Sequence, residues 1–518
     1  MPEYLSPGVY IEEVNSGPRP IEGVGTAMAA FVGFAPAGPI NQPVLISNWS
    51  QYVDTFGVME EGGRRSPHMK GTFLSHSVYG YFLNGGGRCY VTRIGNAASG
   101  NGKPAATLQL PSRSSKAIPS LTLQPKTEQT NDIEIEIAPP TGDEPLEGSF
   151  TVHVRMGQVQ EVFDNVSLGK TKGAKNVVET VNQASRIVTV VEAQTTGALA
   201  DRSPEIGTYL LQMTQPTTLP QVQSNSFKGD VAERSGIEGL EIAEDATMVC
   251  CPDLMAAFEA GLIDRDGVKA VQTGLIAHCE RMGNRMAILD ALPGLSPQEV
   301  KKWREAETNY DSKFAALYYP WIKVAGPDGQ PLAIPPSGHL AGIYARNDNE
   351  RGVHKAPANE VIRGVLEPAT QITKGEQDTL NPVGVNCIRS FTGSGIRVWG
   401  ARTLSSDPAW RYINVRRLFN YVEKSIDRGT QWVVFEPNDP DLWARVRRDV
   451  GAFLTGVWRD GALFGLGAEQ AFFVKCDEEL NPPDVRDRGQ LIIEIGIAPV
   501  KPAEFVIFRL SQFSGGGV

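Results

Sequence analysis

Residues 239–254 read GLEIAEDATMVCCPDL, and this stretch decides the fold. The apolar run before Pro252 predicts a buried strand that ends at this proline, since proline cannot donate a ladder hydrogen bond. A helix is predicted from about 266 to 282, and the run RMAILDAL (285–292) predicts another buried strand. Ser296 then has the character of an N-cap, with a proline directly after it. This alternation of strands and helices indicates an α/β fold.

The α/β pattern is interrupted after residue 95. Between residues 96 and 226 the only aromatic residues are Phe150, Phe163 and Tyr209, whereas Thr, Ser, Gln and Pro are frequent. Alternating pieces such as DIEIEIAP predict antiparallel strands with one face in water. The predicted fold class is therefore a multidomain α/β (α+β) protein with an inserted, mostly antiparallel β domain. The predicted domains are 1–23, 24–95 together with 235–360, 96–234, and 361–518.

Two amphipathic helices are predicted near the C-terminus, over 410–428 and 440–458. Asp439 is the predicted N-cap of the second helix. Each helix carries basic residues away from its apolar stripe. In the first helix these residues share one face, because helical spacings of 7 and 4 return to nearly the same angle. These residues are Arg417, Lys424 and Arg428 in the first helix, and Arg445, Arg447 and Arg448 in the second. Such faces fit an electrostatic interface, and they fit ordinary solvated helix surfaces equally well.

Both ends of the chain predict a strand that has no hairpin partner close in sequence. These strands are SPGVYIEEV (6–14) and EFVIFRLSQF (504–513), and proline-containing linkers adjoin them at 15–23 and 498–503. A strand with unpaired edges is normally hidden or charged, or it is lent to the sheet of a neighbour. From the residues alone, strand donation and closure of one intramolecular sheet remain equally open.

Composition narrows the classes of function. A net charge of −10 over 518 residues argues against a nucleic-acid partner, which would need a positive surface. The six cysteines show no CxxC spacing and are interpreted as free buried thiols. The N-terminal residues do not have the pattern of a signal peptide, and the apolar runs are too short to span a bilayer, so folding in a cytoplasm is expected.

The sequence contains only incomplete versions of known nucleotide-binding and metal-binding motifs. LGKTKG (168–173) contains the Gly-Lys-Thr of a phosphate loop, but Asp164 stands where the first glycine belongs. The six histidines form neither HxH nor HExxH, and DRDG (264–267) is half of a calcium loop. We therefore predict no catalytic residue, no cofactor and no metal site.

Six segments, taken in order, resemble the contractile tail-sheath family of myophage tails, pyocin-like particles and extracellular contractile injection systems. They are SPGVYIEEV, FLNGGGRCYVTRI, GLEIAEDATMVCCPDL, LYYPWIKV, IPPSGHLAGIYARNDNERGVHKAPANE (334–360) and GVNCIRSFTGSGIRVWGARTLS (384–405). The resemblance covers about 1–95 and 235–518, and it includes both basic helices.

The resemblance implies a structural subunit rather than an enzyme. Hexameric rings would stack helically around an inner tube, and contraction from a metastable extended state would drive this tube through a target membrane. The implied partners are further copies of the chain, the inner tube protein, and baseplate and terminal cap proteins, with no nucleic acid and no direct membrane insertion. Assembly in a bacterial cytoplasm is expected, followed by a place in a phage tail or a phage-tail-like particle that stays cytoplasmic or is released.

The resemblance also implies roles for particular residues. The terminal strands would join sheets in the C-terminal domains of neighbouring subunits, through Val9, Tyr10, Ile11, Glu12, Val14, Phe505, Val506, Ile507, Phe508 and Leu510. Pro18, Pro20, Pro499 and Pro502 would lie in hinge linkers, and the six basic residues of the two helices would be candidates for tube contact.

The segment 334–360 brings His339, Arg346, Asp348 and Glu350 close in sequence, but the resemblance makes it structural. Tight turns are predicted at Gly338, Gly342, Gly352 and Pro357. Two other classes stay open: a different self-assembling shell or adhesin, and a hydrolase with an unrecognised site.

Overall fold

A computed structural model describes residues 20–59, 65–95, 107–114, 118–126, 132–141, 148–156, 159–168, 175–193, 198–211 and 219–509. Within these residues the chain forms two compact units. The larger, called the large unit, contains residues 26–350 and 357–413. The smaller, called the C-terminal unit, contains residues 20–25, 351–356 and 414–509.

The strands follow in chain order: β1 Ala29–Gly33, β2 Val44–Ile46, β3 Val58–Met59, β4 Arg65–Ser66, β5 Cys89–Arg93, β6 Leu108–Pro111, β7 Pro119–Pro125, β8 Ile133–Ala138, β9 Ser149–Met156, β10 Val159–Ser167, β11 Lys175–Asn176, β12 Val188–Glu192, β13 Gly207–Leu211, β14 Met248–Cys250, β15 Met286–Asp290, β16 Ala315–Tyr319, β17 Ile322–Ala325, β18 Pro331–Ile334, β19 Glu360–Val361, β20 Val365–Pro368, β21 Val385–Phe391, β22 Gly395–Val398, β23 Phe472–Lys475 and β24 Glu494–Ile497.

The α-helices are α1 Trp49–Phe56, α2 Leu74–Leu83, α3 Val177–Ala184, α4 Leu199–Arg202, α5 Ser224–Lys228, α6 Asp253–Glu259, α7 Arg265–Met282, α8 Pro297–Lys302, α9 Ser337–Arg351, α10 Lys374–Leu380, α11 Ile413–Gly429, α12 Pro440–Arg459, α13 Ala468–Ala471 and α14 Pro483–Asp487.

The large unit is built on a nine-stranded sheet in the order β19-β22-β21-β16-β15-β14-β1-β5-β2. The six strands from β21 to β5 are parallel, and antiparallel strands close both edges. Every residue of β1, β15 and β16 is buried, as expected for strands covered on both faces. The strands and helices predicted around residues 239–300 are confirmed, including Ser296 as N-cap, which accepts a hydrogen bond from the Glu299 amide.

Residues 337–351 form helix α9, so the interpretation of Gly338 and Gly342 as turn residues is wrong. Both glycines instead let α9 approach α2 closely. A Cβ atom on Gly342 would lie 2.5 Å from the Tyr81 carbonyl oxygen and 2.8 Å from Asn84 Cβ. The prediction that these glycines allow two segments to approach closely is correct, but the segments are two helices and not turns.

The segment from β6 to β13 forms a three-stranded sheet and a five-stranded sheet with a hydrophobic core of their own. The alternation in β8 places Ile133, Ile135 and Ile137 in this core and Glu134 and Glu136 on the other face. The predicted limit of the insertion at 234 differs from the structure, because α5 packs on α7 and Phe227 belongs to the core of the large unit.

The C-terminal unit contains α11, α12 and the two-stranded ribbon formed by β23 and β24. We predicted that the C-terminal domain begins at 361, whereas the structure places the division at Asn414. The reason is that β21 pairs with β16, which ties residues 385–391 to the nine-stranded sheet.

Candidate assembly surfaces

Helix α12 has one buried and one exposed face. Asp439 accepts a hydrogen bond from the Leu442 amide at 2.8 Å, and Pro440 occupies the first helical position, so the predicted cap is confirmed. Leu442, Val446 and Val450 are buried, as the stripe predicts. Exposed residues follow one another along the opposite face: Ala444, Arg445, Arg448, Ala452, Gly456 and Arg459.

The arginines of α12 contact only residues of the same unit, through a ring contact, ion pairs and one hydrogen bond to a carbonyl. The Arg445 guanidinium lies 5.4 Å from the centre of the Trp432 ring and 3.5 Å from Glu436. Arg448 lies 3.0 Å from Asp449, and Arg447 donates to the Cys476 carbonyl. The side chains of Arg445 and Arg448 are 44% and 57% exposed, and such surface pairs contribute about 0–1 kcal/mol. Both guanidinium groups can therefore exchange their partners for an incoming acidic surface.

Helix α11 does not present the predicted basic face. Arg417 is buried, with 3% of its surface exposed, so its place on an exposed face is corrected. Arg416 and Asn414 are buried too, which shows that the first half of α11 is covered on more than one side. Further along the helix, Lys424 lies 3.3 Å from Asp427 and Arg428 is exposed. Sequence periodicity located the polar face of α11 but could not show that other residues cover it.

The β23–β24 ribbon is a short antiparallel pair, and no third strand pairs with it among the described residues. Its inner face carries Phe472, Val474, Ile495 and Ile497, which are half-buried and pack on the core of the C-terminal unit. A two-stranded sheet is marginal by itself in water, because backbone donors and acceptors stay unpaired along both edges. The edges of the ribbon are thus chemically suited to pair with a further strand.

Backbone hydrogen bonds hold the chain as far as Val500, and residues 505–509 are exposed. The Val500 amide donates to the Ala462 carbonyl at 3.2 Å, and Pro499 pairs with Leu463 in an isolated bridge, so Pro499 is not a hinge residue. Pro502 lies beyond this last backbone hydrogen bond and stays a predicted hinge residue.

Phe505, Val506, Ile507 and Phe508 are between 69% and 83% exposed. The strand predicted over 504–513 is not formed at 504–509, since no edge pairs with it there, and Leu510 lies outside the described residues.

The N-terminal linker is partly docked. Ile21 is buried and packs against Gly429, and the Val24 amide donates to Ser425 Oγ at 3.1 Å. The linker predicted over 15–23 is therefore fixed to α11 from Ile21 onward, while Pro20 is exposed. Pro18 and the predicted strand residues Val9, Tyr10, Ile11, Glu12 and Val14 lie outside the described residues.

The sheet edge that binds ligands in many α/β proteins is filled by helix caps. Ligands usually bind at the carboxyl ends of strands where the strand order reverses, which is here between β1 and β14. Asp253 accepts hydrogen bonds there from the amides of Phe34 (2.6 Å) and Leu74 (3.2 Å). Asp290 accepts from the amide (2.9 Å) and the hydroxyl (2.6 Å) of Ser337. Burial raises the pKa of both carboxyls to about 7, and both serve as caps of α2 and α9.

The polar cluster of segment 334–360 is dispersed in the structure. His339 is buried against Gly80, and burial lowers its pKa to about 3. Arg346 donates to the Val361 carbonyl at 2.8 Å and lies 3.6 Å from Glu360. Within the described ranges, no group of three His, Cys, Asp or Glu residues has a geometry that could hold a metal ion, and no helix there is long and apolar enough to cross a membrane.

Comparison with known proteins gives one consistent family. Residues 243–404 match the phage tail sheath protein central domain, and residues 405–513 match the phage tail sheath C-terminal domain. The chain is 24% identical over 525 residues to the tail sheath protein of Burkholderia phage BcepMu, which covers 97% of this chain and 95% of that protein. It is 31% identical over 177 residues to the tail sheath protein of Vibrio phage KVP40, but that alignment spans 33% of this chain and only 26% of the phage protein.

Solved structures agree with this result over nearly the whole chain. The helical sheath of the anti-feeding prophage in its contracted state aligns with a TM-score of 0.60 and 25% identity, covering 99% of this chain and all of that one. A chain of the anti-feeding prophage baseplate aligns with a TM-score of 0.56 and 26% identity over the same share.

Proposed function

The chain belongs to the phage tail sheath family, and we propose that it is the polymerising subunit of a contractile sheath. Six copies form a ring, and rings stack helically around an inner tube. The sheath contracts from an extended state and drives the tube through a target membrane. The partners are other copies, the tube protein, and baseplate and terminal cap proteins.

One observation carries the proposal: the C-terminal unit has an acceptor ribbon with no third strand among the described residues, and the same unit exposes an apolar run from Phe505 to Phe508. Adding the run of one copy to the ribbon of another satisfies backbone groups on both partners and removes apolar surface from water. The family alignment supports this use of the run, since the C-terminal domain match extends to residue 513.

The N-terminal strand, residues 6–14, serves as the second donor. Its linker is shorter than the sequence suggested, because Ile21 is fixed to α11. Residues 15–20 remain as spacer, and six extended residues reach about 20 Å. Each arm therefore starts from a fixed point on the C-terminal unit and reaches an adjacent copy rather than a distant one.

Contraction requires that the extended sheath is held by a kinetic barrier rather than by equilibrium stability. Subunits then move as nearly rigid bodies while the exchanged strands keep them connected. Each subunit needs to gain only a few kcal/mol from its new contacts in the contracted state, a typical size for the coupling free energy between two sites. Summed over many subunits, this free energy can drive contraction without hydrolysis of a nucleotide.

The grip on the inner tube is assigned to the exposed face of α12. Arg445 and Arg448 stand on this face between small side chains, so a partner surface can approach the helix closely. Charge contacts of this kind are weakened by salt and can be released, unlike a large apolar interface. Arg417 takes no part in this proposal, since it is buried.

Electron microscopy of negatively stained protein tests the proposal. The full chain should form tubular polymers or stacked rings at high concentration, whereas a variant lacking residues 1–19 and another lacking 505–518 should stay as small species. Circular dichroism of both variants should match that of the full chain, which excludes unfolding as the cause. Small oligomers from all three proteins would overturn the proposal.

A further inference from the structure

A cavity of about 530 Å³ lies beside helix α1 in the large unit. Its lining comes from the solvent-facing side of α1, from the segment 65–68 that begins with β4, and from Pro327 in the turn between β17 and β18. The volume falls in the range of small-molecule sites, which is about 300–1,000 Å³. None of the residues assigned to assembly lines this cavity, so the proposed sheath function does not account for it.

Trp49 is the aromatic part of the lining, and three rings hold it in place. It stacks on the buried Tyr52 ring, with centres 5.1 Å apart and an interplanar angle of 14°. Tyr79 meets its edge at 5.1 Å, and the His68 ring lies 6.2 Å away. Tyr52 covers one face of the indole, and the ring still lines the cavity. A ligand therefore meets a flat apolar surface that is already fixed, which lowers the entropic cost of binding.

Five of the nine residues that line the cavity are polar, namely Ser50, Asp54, Arg65, Ser66 and His68. Arg65 Nη1 donates to the carbonyl oxygens of Asp54 at 3.2 Å and Gly57 at 3.1 Å, which fixes the guanidinium against the end of α1. The His68 ring is oriented by Ser75, since Nδ1 lies 2.9 Å from the serine Oγ. Among the described residues, no side chain pairs with the Asp54 carboxylate. The cavity thus combines one apolar ring with several oriented polar groups.

We infer that this cavity binds one pyranose ring of an uncharged sugar. A pyranose has apolar C–H groups on its faces and hydroxyl groups around its rim. Trp49 packs against one C–H face, and the Asp54 carboxylate accepts hydrogen bonds from neighbouring hydroxyls. The serine hydroxyls both donate and accept, so they can pair with a hydroxyl in either orientation. The inference goes beyond the proposed sheath function and does not rest on it.

The polar groups of the lining favour a sugar over other ligands. Asp54 and Arg65 carry opposite charges, so a charged ligand of either sign would meet a like charge in the cavity. A purely aromatic ligand would suit Trp49 but would leave the hydroxyls and charged groups without partners, which costs free energy. A sugar ring satisfies the apolar and the polar parts of the lining together.

Saturation-transfer difference NMR on the full chain tests the inference. The probes are methyl glycosides of glucose, mannose, galactose and N-acetylglucosamine, together with dextran, mannan and galactan. At least one methyl glycoside should bind with a Kd of about 1 mM, a modest affinity for a ligand of this size. Tighter binding of the matching polysaccharide would identify a surface glycan as the source of the ring. Equal binding per ring would identify a free sugar.

Substitutions locate the binding. Trp49→Ala should weaken it at least tenfold, and Trp49→Phe should restore most of the loss. Asp54→Asn should weaken it severalfold without a change in melting temperature, because Asp54 is exposed, so lost binding is separated from lost stability. The matched controls are Trp399→Ala, which removes a partly exposed tryptophan packed on Phe391, and Asp378→Asn, which changes an exposed carboxylate on α10. Both controls should bind as the wild type does.

Three results would overturn the inference. The first is that no probe sugar binds the wild-type chain. The second is sugar binding that neither Trp49→Ala nor Asp54→Asn weakens, because the sugar would then lie elsewhere. The third is that N-acetylphenylalaninamide, which has an aromatic ring and no hydroxyl, binds in preference to every sugar, because the cavity would then receive a peptide side chain. Polymer formation is measured separately, so the proposed sheath function and this inference can fail independently.

Discussion

Replacement of Gly342 by alanine should destabilise the large unit through the contact between α9 and α2. The added Cβ atom would lie 2.5 Å from the Tyr81 carbonyl oxygen, whereas ordinary contact begins at 3.4 Å. The two helices would have to separate by about 0.9 Å. No side chain can rotate to make this room, because the obstacle includes the backbone of α2.

Separation of the two helices would also strain the hydrogen bonds of Asn84, which follows α2 in the chain. The Asn84 side chain donates to the carbonyl oxygens of Gly80 at 3.0 Å and Arg363 at 3.1 Å, and it accepts from the Arg363 amide at 2.8 Å. Overpacking of a close contact costs about 3 kcal/mol at the upper end of its range, and alanine regains about 1 kcal/mol of helix propensity over glycine. The expected net loss is about 2 kcal/mol of unfolding free energy.

Thermal unfolding followed by circular dichroism measures this loss. A loss of about 2 kcal/mol lowers Tm by about 2.5 °C for a unit as large as this one, since the unfolding entropy grows with the number of residues. Gly375→Ala is the matched control, since this glycine lies in α10 of the same unit and a Cβ atom there would meet nothing within 4 Å. The control should melt at or slightly above the wild-type temperature. A Gly342→Ala protein that melts like the control would refute the reasoning.

Two further predictions concern charge. Replacement of Arg445, Arg447 and Arg448 by glutamate should abolish co-sedimentation with tubes of the inner tube protein, while glutamate at the exposed residues Arg234, Lys302 and Lys374 should not; equal binding by both triple variants would contradict the tube contact. Burial lowers the pKa of His76 to about 4 and that of His339 to about 3, so these side chains bind protons first in the unfolded chain, and their contribution to unfolding free energy should fall as the pH is lowered from about 6.5 towards 4. Asp253 and Asp290 have raised pKa values and act in the opposite sense, losing their stabilising protonated form as the pH rises towards 7. The histidine effect is therefore read as the difference between wild type and His76→Gln in the slope of unfolding free energy against pH, with each free energy taken from urea unfolding; an unchanged slope would contradict it.

Local features of the sequence predicted local structure well. The cap and stripe of α12 are confirmed because Asp439, Pro440 and the apolar spacing act within a few residues. The order of the nine-stranded sheet could not be predicted in the same way, since β1 pairs with β14 across more than 200 residues. Which charges are exposed also depends on distant residues, so Arg417 was placed wrongly while Arg448 was placed correctly.

Other residues were assigned to the wrong local structure or were missed in the sequence. Gly338 and Gly342 resemble turn residues by composition, but their missing side chains serve the approach of a second helix. Arg459 was overlooked although its spacing from Arg448 and Ala452 continues the exposed face of α12.

The separate core of residues 107–211 has a consequence for how this chain can diversify. Its buried residues contact one another rather than the core of the nine-stranded sheet. Sequence drift within it therefore leaves the sheet's packing unchanged, and a different small fold could be grafted between β5 and α5 with little loss to the rest of the subunit. The segment is a natural position for carrying a label, an enzyme or a targeting module on every copy.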